Sequence, residues 1–188
     1  MKSLVAFAAL AAAAAIAAPA SAQTLPSDLS PVTYTVGVGY TGASTSGADL
    51  GAITLRAGAN FGKYFGVEGE GSFGVNDQRG SLSGVPYKLH VDDQYAGYGV
   101  VRYPVLPKAN IFARGGYGHT DLTAAVTPLL TGLETTGKVG LDSWNYGAGA
   151  EYFFDGKNGL RAEYTRFDFQ GGAGGNADTW TVSYVYKF

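Results

Sequence analysis

Nine charged residues, Arg56, Glu68, Glu70, Arg102, Arg114, Glu151, Arg161, Glu163 and Lys187, interrupt apolar segments of the chain and carry most of its chemical potential. Glu68 and Glu70, two apart, have the spacing of an acid and a base on one strand face, but Arg56 on the preceding segment offers both an ion-pair partner, the simpler use. Gly37-Val38-Gly39-Tyr40-Thr41-Gly42 fits the G-x-G-x-x-G spacing of dinucleotide folds. Immediately after it, Ala43 to Ala48 is a Ser/Thr/Gly loop rather than a helix whose N-terminus would hold a pyrophosphate. The two histidines, His90 and His119, would need to meet with Asp92, Asp93 or Asp121 to ligate a metal, and ordinary solvated positions are the simpler reading. Ser81 and Ser83 sit in a loop with no base held on a rigid strand beside them. With Cys 0 there is no thiolate ligand, nucleophile or disulfide. The residues therefore assign no catalytic, cofactor-binding or metal-binding role. A net charge of -2 gives no basic face for phosphates, so no nucleic-acid partner is expected.

The elements that position these charges are strands. With 46% hydrophobic residues, 15% charged, Gly 29, Tyr 13 and Phe 10, the chain is too apolar for disorder and rich in strand formers. In Asp178 to Phe188, Trp180, Val182, Tyr184, Tyr186 and Phe188 alternate with Thr179, Thr181, Ser183 and Lys187, the period of two of a strand with one apolar face. Thr33 to Tyr40 repeats this, and six further strands are expected at roughly Gly51 to Phe61, Phe65 to Val75, Tyr95 to Tyr103, Asn110 to His119, Ser143 to Phe154 and Leu160 to Phe167. These lengths suit tilted membrane strands of ~9–11 residues. All seven prolines fall outside these strand interiors.

The first segment reads as a secretory signal peptide. Lys2 is its positive end, Leu4 to Ala18 its apolar run, and Pro19-Ala20-Ser21-Ala22 ends in the small-x-small pattern, with Ala20 and Ala22 at the cleavage site. Residues 1–22 are thus expected to be removed, leaving residues 23–188 as one domain with 12 basic and 15 acidic residues.

Short turns at Gly62-Lys63-Tyr64, Pro104 to Ala109 and Asp155 to Gly159 alternate with long polar loops at Thr41 to Leu50, Asn76 to Gln94, Thr120 to Asp142 and Asp168 to Ala177. Turns on one side and loops on the other is how outer-membrane barrels are built. The loops hold nine acidic against three basic residues, an outer surface able to hold divalent cations, although solvation and turn formation by aspartate account for it more simply. Charge placement distinguishes a membrane barrel from a soluble sandwich. Shifting the register by one would turn the nine charges toward lipid, at ~2–4 kcal/mol per basic residue at mid-depth, so they are expected to face a lumen and to fill it as a paired network. Tyr34, Phe65, Tyr103, Phe154, Tyr186 and Phe188 then lie toward the turns, and Tyr40, Phe73, Tyr95, Tyr117, Trp144 and Trp180 toward the loops, as two aromatic girdles. Arg166 is an exception, pointing outward near the rim where it would reach a lipid phosphate.

The leader, the eight amphipathic strands, the inward Arg/Glu residues and the terminal Tyr184-Val185-Tyr186-Lys187-Phe188 resemble the small outer-membrane barrels related to the OmpA transmembrane domain, including OmpX-like and opacity-type surface proteins. The resemblance covers Gln23 to Phe188 and implies an all-β, eight-stranded antiparallel up-and-down barrel in the bacterial outer membrane. It also implies that Tyr184, Tyr186 and Phe188 are read by the barrel-assembly machinery, and that the partners are outer-membrane lipid, lipopolysaccharide and an extracellular ligand of the loops. The function implied is structural or surface-interactive, with a narrow diffusion channel or a lipid A hydrolase as alternatives. Against the hydrolase, His119-Thr120-Asp121 lacks the His-x-Ser spacing of the related lipid A deacylases.

Overall fold

The computed structural model describes residues 31–45, 48–75, 78–82, 85–126, 135–171 and 175–188. Residues 1–22, with the cleavage-site residues Ala20 and Ala22, lie outside them. The strands are β1 Val32–Thr45, β2 Ala48–Phe61, β3 Phe65–Gly74, β4 Gln78–Leu82, β5 Val85–Leu106, β6 Ala109–Val126, β7 Thr135–Phe153, β8 Asn158–Phe169 and β9 Asn176–Lys187. Each pairs antiparallel with its neighbours, β1 closes on β9 over Thr35↔Lys187 to Ser44↔Asp178, and β3 pairs β5 over Phe65↔Val101 to Phe73↔Asp93. The result is a closed eight-strand barrel, from which β4 stands apart as a short strand paired to the start of β5. Closure leaves no unpaired backbone in the wall, the condition for a sheet to cross a bilayer.

Alternation along each strand sorts the side chains. Val36, Val38, Val67, Val101, Ile111, Leu160, Val182 and Tyr184 are exposed on the outer wall, whereas Arg56, Glu68, Arg102, Arg114, Glu151, Arg161 and Glu163 are buried inside. The turns on one side are tight. Gly62 at φ 66 and Gly156 at φ 84 occupy left-handed conformations that suit glycine, and Asp155 accepts hydrogen bonds from the backbone N–H groups of Lys157 (2.9 Å) and Asn158 (2.7 Å).

Two expectations are corrected. Asn76 to Gln94 and Thr120 to Asp142, read as polar loops, are largely strand: β5, β6 and β7 run for 22, 18 and 19 residues. Thr41 to Leu50, also read as a loop, lies mostly in β1 and β2, which pair as far as Thr45↔Ala48, and Ser81 lies in β4, whereas Ser83 is outside the described residues. Beyond the last pairs of β3 (Phe73↔Asp93) and β8 (Ser143↔Phe169), β4 to β7 continue as a four-stranded sheet rising from the barrel. In water both faces of a strand are wetted, so polar residues such as Asp121 and Thr123 are compatible with the ladder there. The prolines are also not all outside strands. Pro86 pairs with Ser81 near the start of β5, and Pro104 lies at a register shift between Pro104 and Leu106, places where a missing N–H is tolerated.

Candidate functional site

The lumen holds an alternating array of four buried arginines and four buried glutamates. Arg56 of β2 is 2.5 Å from Glu70 of β3, Glu70 is 2.7 Å from Arg114 of β6, Arg114 is 3.2 Å from Glu163 of β8, and Glu163 is bonded back to Arg56. A second ring shares the Arg56–Glu163 edge: Glu163 is 2.8 Å from Arg161, Arg161 is 2.7 Å from Glu68, and Glu68 is 3.7 Å from Arg56. Arg102 extends the array, at 2.5 Å from Glu68 and 3.3 Å from Glu151, which accepts a hydrogen bond from Asn110 at 3.0 Å. Glu163, with three arginine partners, and Arg56, with three glutamate partners, are the corners common to both rings. The eight charges cancel, which is how so many charges are held away from water.

Lys187, read with this group, faces inward but lies apart from it, with its ammonium 4.6 Å from the Phe153 ring at the turn-side mouth. Aromatic residues line the lumen as well as the wall. Tyr98 stacks against the Arg114 guanidinium at 4.0 Å and Phe112 against Arg161 at 3.8 Å, covering the faces that salt bridges leave open. Sequence reading missed both, because it assigned aromatics to the lipid face. Their parity with Arg102 and Arg114 was the available signal. Loopward of the charges the lumen is lined by hydroxyls and amides. Thr41 bonds Thr54 (2.6 Å) and Thr181 (2.8 Å), Thr54 bonds Ser72 (2.9 Å), and Ser143 donates to Asn145 (2.7 Å).

On the outer wall, Tyr95, Tyr117, Trp144, Tyr40 and Trp180 are exposed toward the loops, with Phe73 half-buried beside them. Phe65, Tyr103, Phe154 and Phe188 are exposed toward the turns, with Tyr34 and Tyr186 half-buried. Neighbours meet as ring pairs: Tyr40–Trp180 at 5.8 Å, Tyr117–Trp144 at 5.2 Å, Tyr152–Phe154 at 5.7 Å and Tyr186–Phe188 at 5.0 Å. Tyr184 is exposed at mid-wall and its hydroxyl donates to the Asn158 side chain. Arg166 does point outward, but Asp178 (3.4 Å) and Asp168 (3.5 Å) flank it, so an approaching phosphate meets two carboxylates. His119 lies on the loop side of the girdle between Asp142 (2.7 Å) and Asp121 (3.5 Å). Among the described residues, no group of three or more acidic or histidine side chains is placed to hold a metal ion.

Among solved structures, the chain is similar in fold to Ail, the attachment invasion locus protein of Yersinia pestis, with TM-score 0.59 and 14% identity over 84% of this chain and 99% of that one. The N-terminal β-barrel domain of Pseudomonas aeruginosa OprF gives TM-score 0.59 and 12% identity over 83% and 97% of the two chains. A major outer membrane protein of Thermus thermophilus gives 0.55 and 12% over 84% and 100%. At these identities the likeness concerns the fold. No curated protein matches the chain in sequence. The model of the outer membrane protein beta-barrel domain family matches residues 8–188, nearly the whole chain, and its strands close into the barrel that family requires. The chain belongs to the outer membrane protein beta-barrel domain family and resides in the bacterial outer membrane.

Proposed function

We propose that the protein is a non-enzymatic membrane anchor whose lumen is plugged and whose function lies in the sheet it raises above the outer membrane. The observation that carries this reading is the sheet's open edge. Asp142 of β7 accepts from the Gln170 N–H on the side of β7 away from β6, so by alternation Thr136, Lys138 and Gly140 turn their N–H and C=O groups the same way. Among the described residues no strand pairs there, and such an edge can take an added strand. The structure of Ail was solved with a heparin analogue, a polyanion. Nine acidic against three basic loop residues oppose a polyanion here, so the expected surface partner is neutral or basic. Lipid contacts fall to the two girdles, and assembly to the terminal strand ending in Phe188. Export is proposed to follow cleavage after Ala22, which N-terminal sequencing of the membrane-inserted protein would read as a chain starting at Gln23.

The alternatives have less support. A diffusion channel needs a water path past eight charges, each bound to at least one of the opposite sign. A hydrolase needs a hydroxyl at the free nitrogen of a His–Asp pair, and at His119 that nitrogen faces Asp121. The test is to replace residues 78–90 and 122–139 with short turns in cells that express the protein. The trimmed barrel should remain heat-modifiable and in the outer membrane while cell-surface adhesion or autoaggregation is lost. Retention of that phenotype by the trimmed protein, with its loss in lumen variants, would favour the channel.

A further inference from the structure

The barrel wall gives way to the protruding sheet over a few residues of β5, β6 and β7, and the outward face there is built around His119. Its ring lies beside Tyr95 of β5, with centroids 5.4 Å apart. Nδ1 is 2.7 Å from Asp142 Oδ1 on β7, and Nε2 is 3.5 Å from Asp121 Oδ1, two residues ahead on β6. Asp93 of β5 is paired opposite Asp121, and the Tyr117 ring lies two residues before His119 on the same outward face. The groups facing the imidazole are thus Tyr95 and Asp93 from β5, Tyr117 and Asp121 on its own strand, and Asp142 from β7. Gly140 provides the space, since a Cβ there would stand 2.9 Å from Nε2 and 3.2 Å from Asp121 Oδ1.

A neutral imidazole has one N–H and one lone pair, so it donates to one carboxylate and turns its lone pair toward the other. An imidazolium keeps the bond to Asp142 and turns a second N–H rather than a lone pair toward Asp121, so the two flanking carboxylates favour the charged form. The hydrogen bond to Asp142, together with the charges of Asp121 and Asp142, outweighs partial burial and holds the ring above its ordinary range. We propose that His119 is a proton-operated clasp at the root of the protruding sheet: protonated, it ties β6 to β7 through Asp142 and compensates Asp121 on its own strand, and neutral, it leaves both carboxylates without a cation and loosens the root. Because folding strengthens the ring's hold on its proton, the stabilisation is complete below the ordinary histidine range and is lost as pH rises through the folded value. The root is where such a clasp has leverage, since β3 and β8 make their last pairs at Asp93 and Ser143. The clasp does not depend on what the sheet binds.

The test is backbone hydrogen exchange on the full protein folded in lipid nanodiscs from pH 5 to 9, expressed as protection relative to intrinsic rates, with the His119 imidazole titrated by NMR. Protection in residues 120–124 and 138–141 should fall roughly two- to tenfold as His119 deprotonates, the scale of a part-exposed charge-assisted pair, while residues 111–117 in the wall stay unchanged. Asp142→Asn should move the step to lower pH. His119→Gln should abolish it in a barrel that remains heat-modifiable, and His90→Gln should leave it intact. Asp121→Asn keeps the histidine and should shrink the step. Protection that ignores the His119 titration overturns the proposal, as does a step that survives His119→Gln, vanishes in His90→Gln or is unchanged in Asp121→Asn.

Discussion

Glu163 is one of the most connected charges of the lumen, because Arg56, Arg114 and Arg161 all bond to it. Glu163→Gln removes one of the compensating charges around three buried arginines and should destabilise the folded barrel by about 3–5 kcal/mol, read as the unfolding free energy in urea with the barrel in lipid vesicles. Glu151, at the end of the array with Arg102 and Asn110, should cost about 1–2 kcal/mol as Glu151→Gln. Part of this was legible in the residues. Arg56 and Glu70 are register neighbours on one hairpin, so their pairing follows from parity and a short turn. Arg56 with Glu163 was not, because β2 and β8 meet only across a closed lumen whose stagger no local pattern encodes. At the turns, Asp155 is held down to about 2, first by the Asn158 backbone N–H and side-chain amide and then by the Lys157 N–H. Since this lies below the ordinary 3.8, the turn's contribution is complete above about pH 4 and is lost as pH falls toward 2. Protection of the Phe154 amide, which donates to Asn158 O at 2.8 Å, should drop in that window and be low throughout in Asp155→Ala.

At the scale of the strand, the decisive fact is which face a glycine occupies. Gly97 lies on the outer wall, where an added Cβ would have nothing within 4 Å, whereas at Gly147 a Cβ would stand 2.8 Å from Thr165 Oγ1 inside the lumen. Gly97→Val should therefore fold with near-native yield, and Gly147→Val should fail to give the heat-modified band on gels. The strands within the membrane could be read from sequence because lipid outside and a polar lumen inside enforce a period of two. The extensions of β5, β6 and β7 could not, because water on both faces removes the pressure to alternate, and Asp121, Thr123, Lys138 and Asp142 then resemble a loop. The same alternation concealed Tyr98 and Phe112, whose rings serve arginines rather than lipid.

The whole molecule is a wall closed by strand pairing, a lumen holding eight mutually compensating charges, and a sheet that outgrows the wall on the loop side. The plugged lumen proposed above implies that solutes do not cross. Single-channel recording of the refolded protein in planar bilayers, after a heat-modifiable gel shift has confirmed the barrel, tests this most directly. A plugged barrel should give no steady conductance above that of the bare bilayer. Steady conductance whose ion selectivity changes in Glu70→Gln or Arg114→Gln would contradict a plugged lumen and make the lumen, rather than the protruding sheet, the working part of the protein.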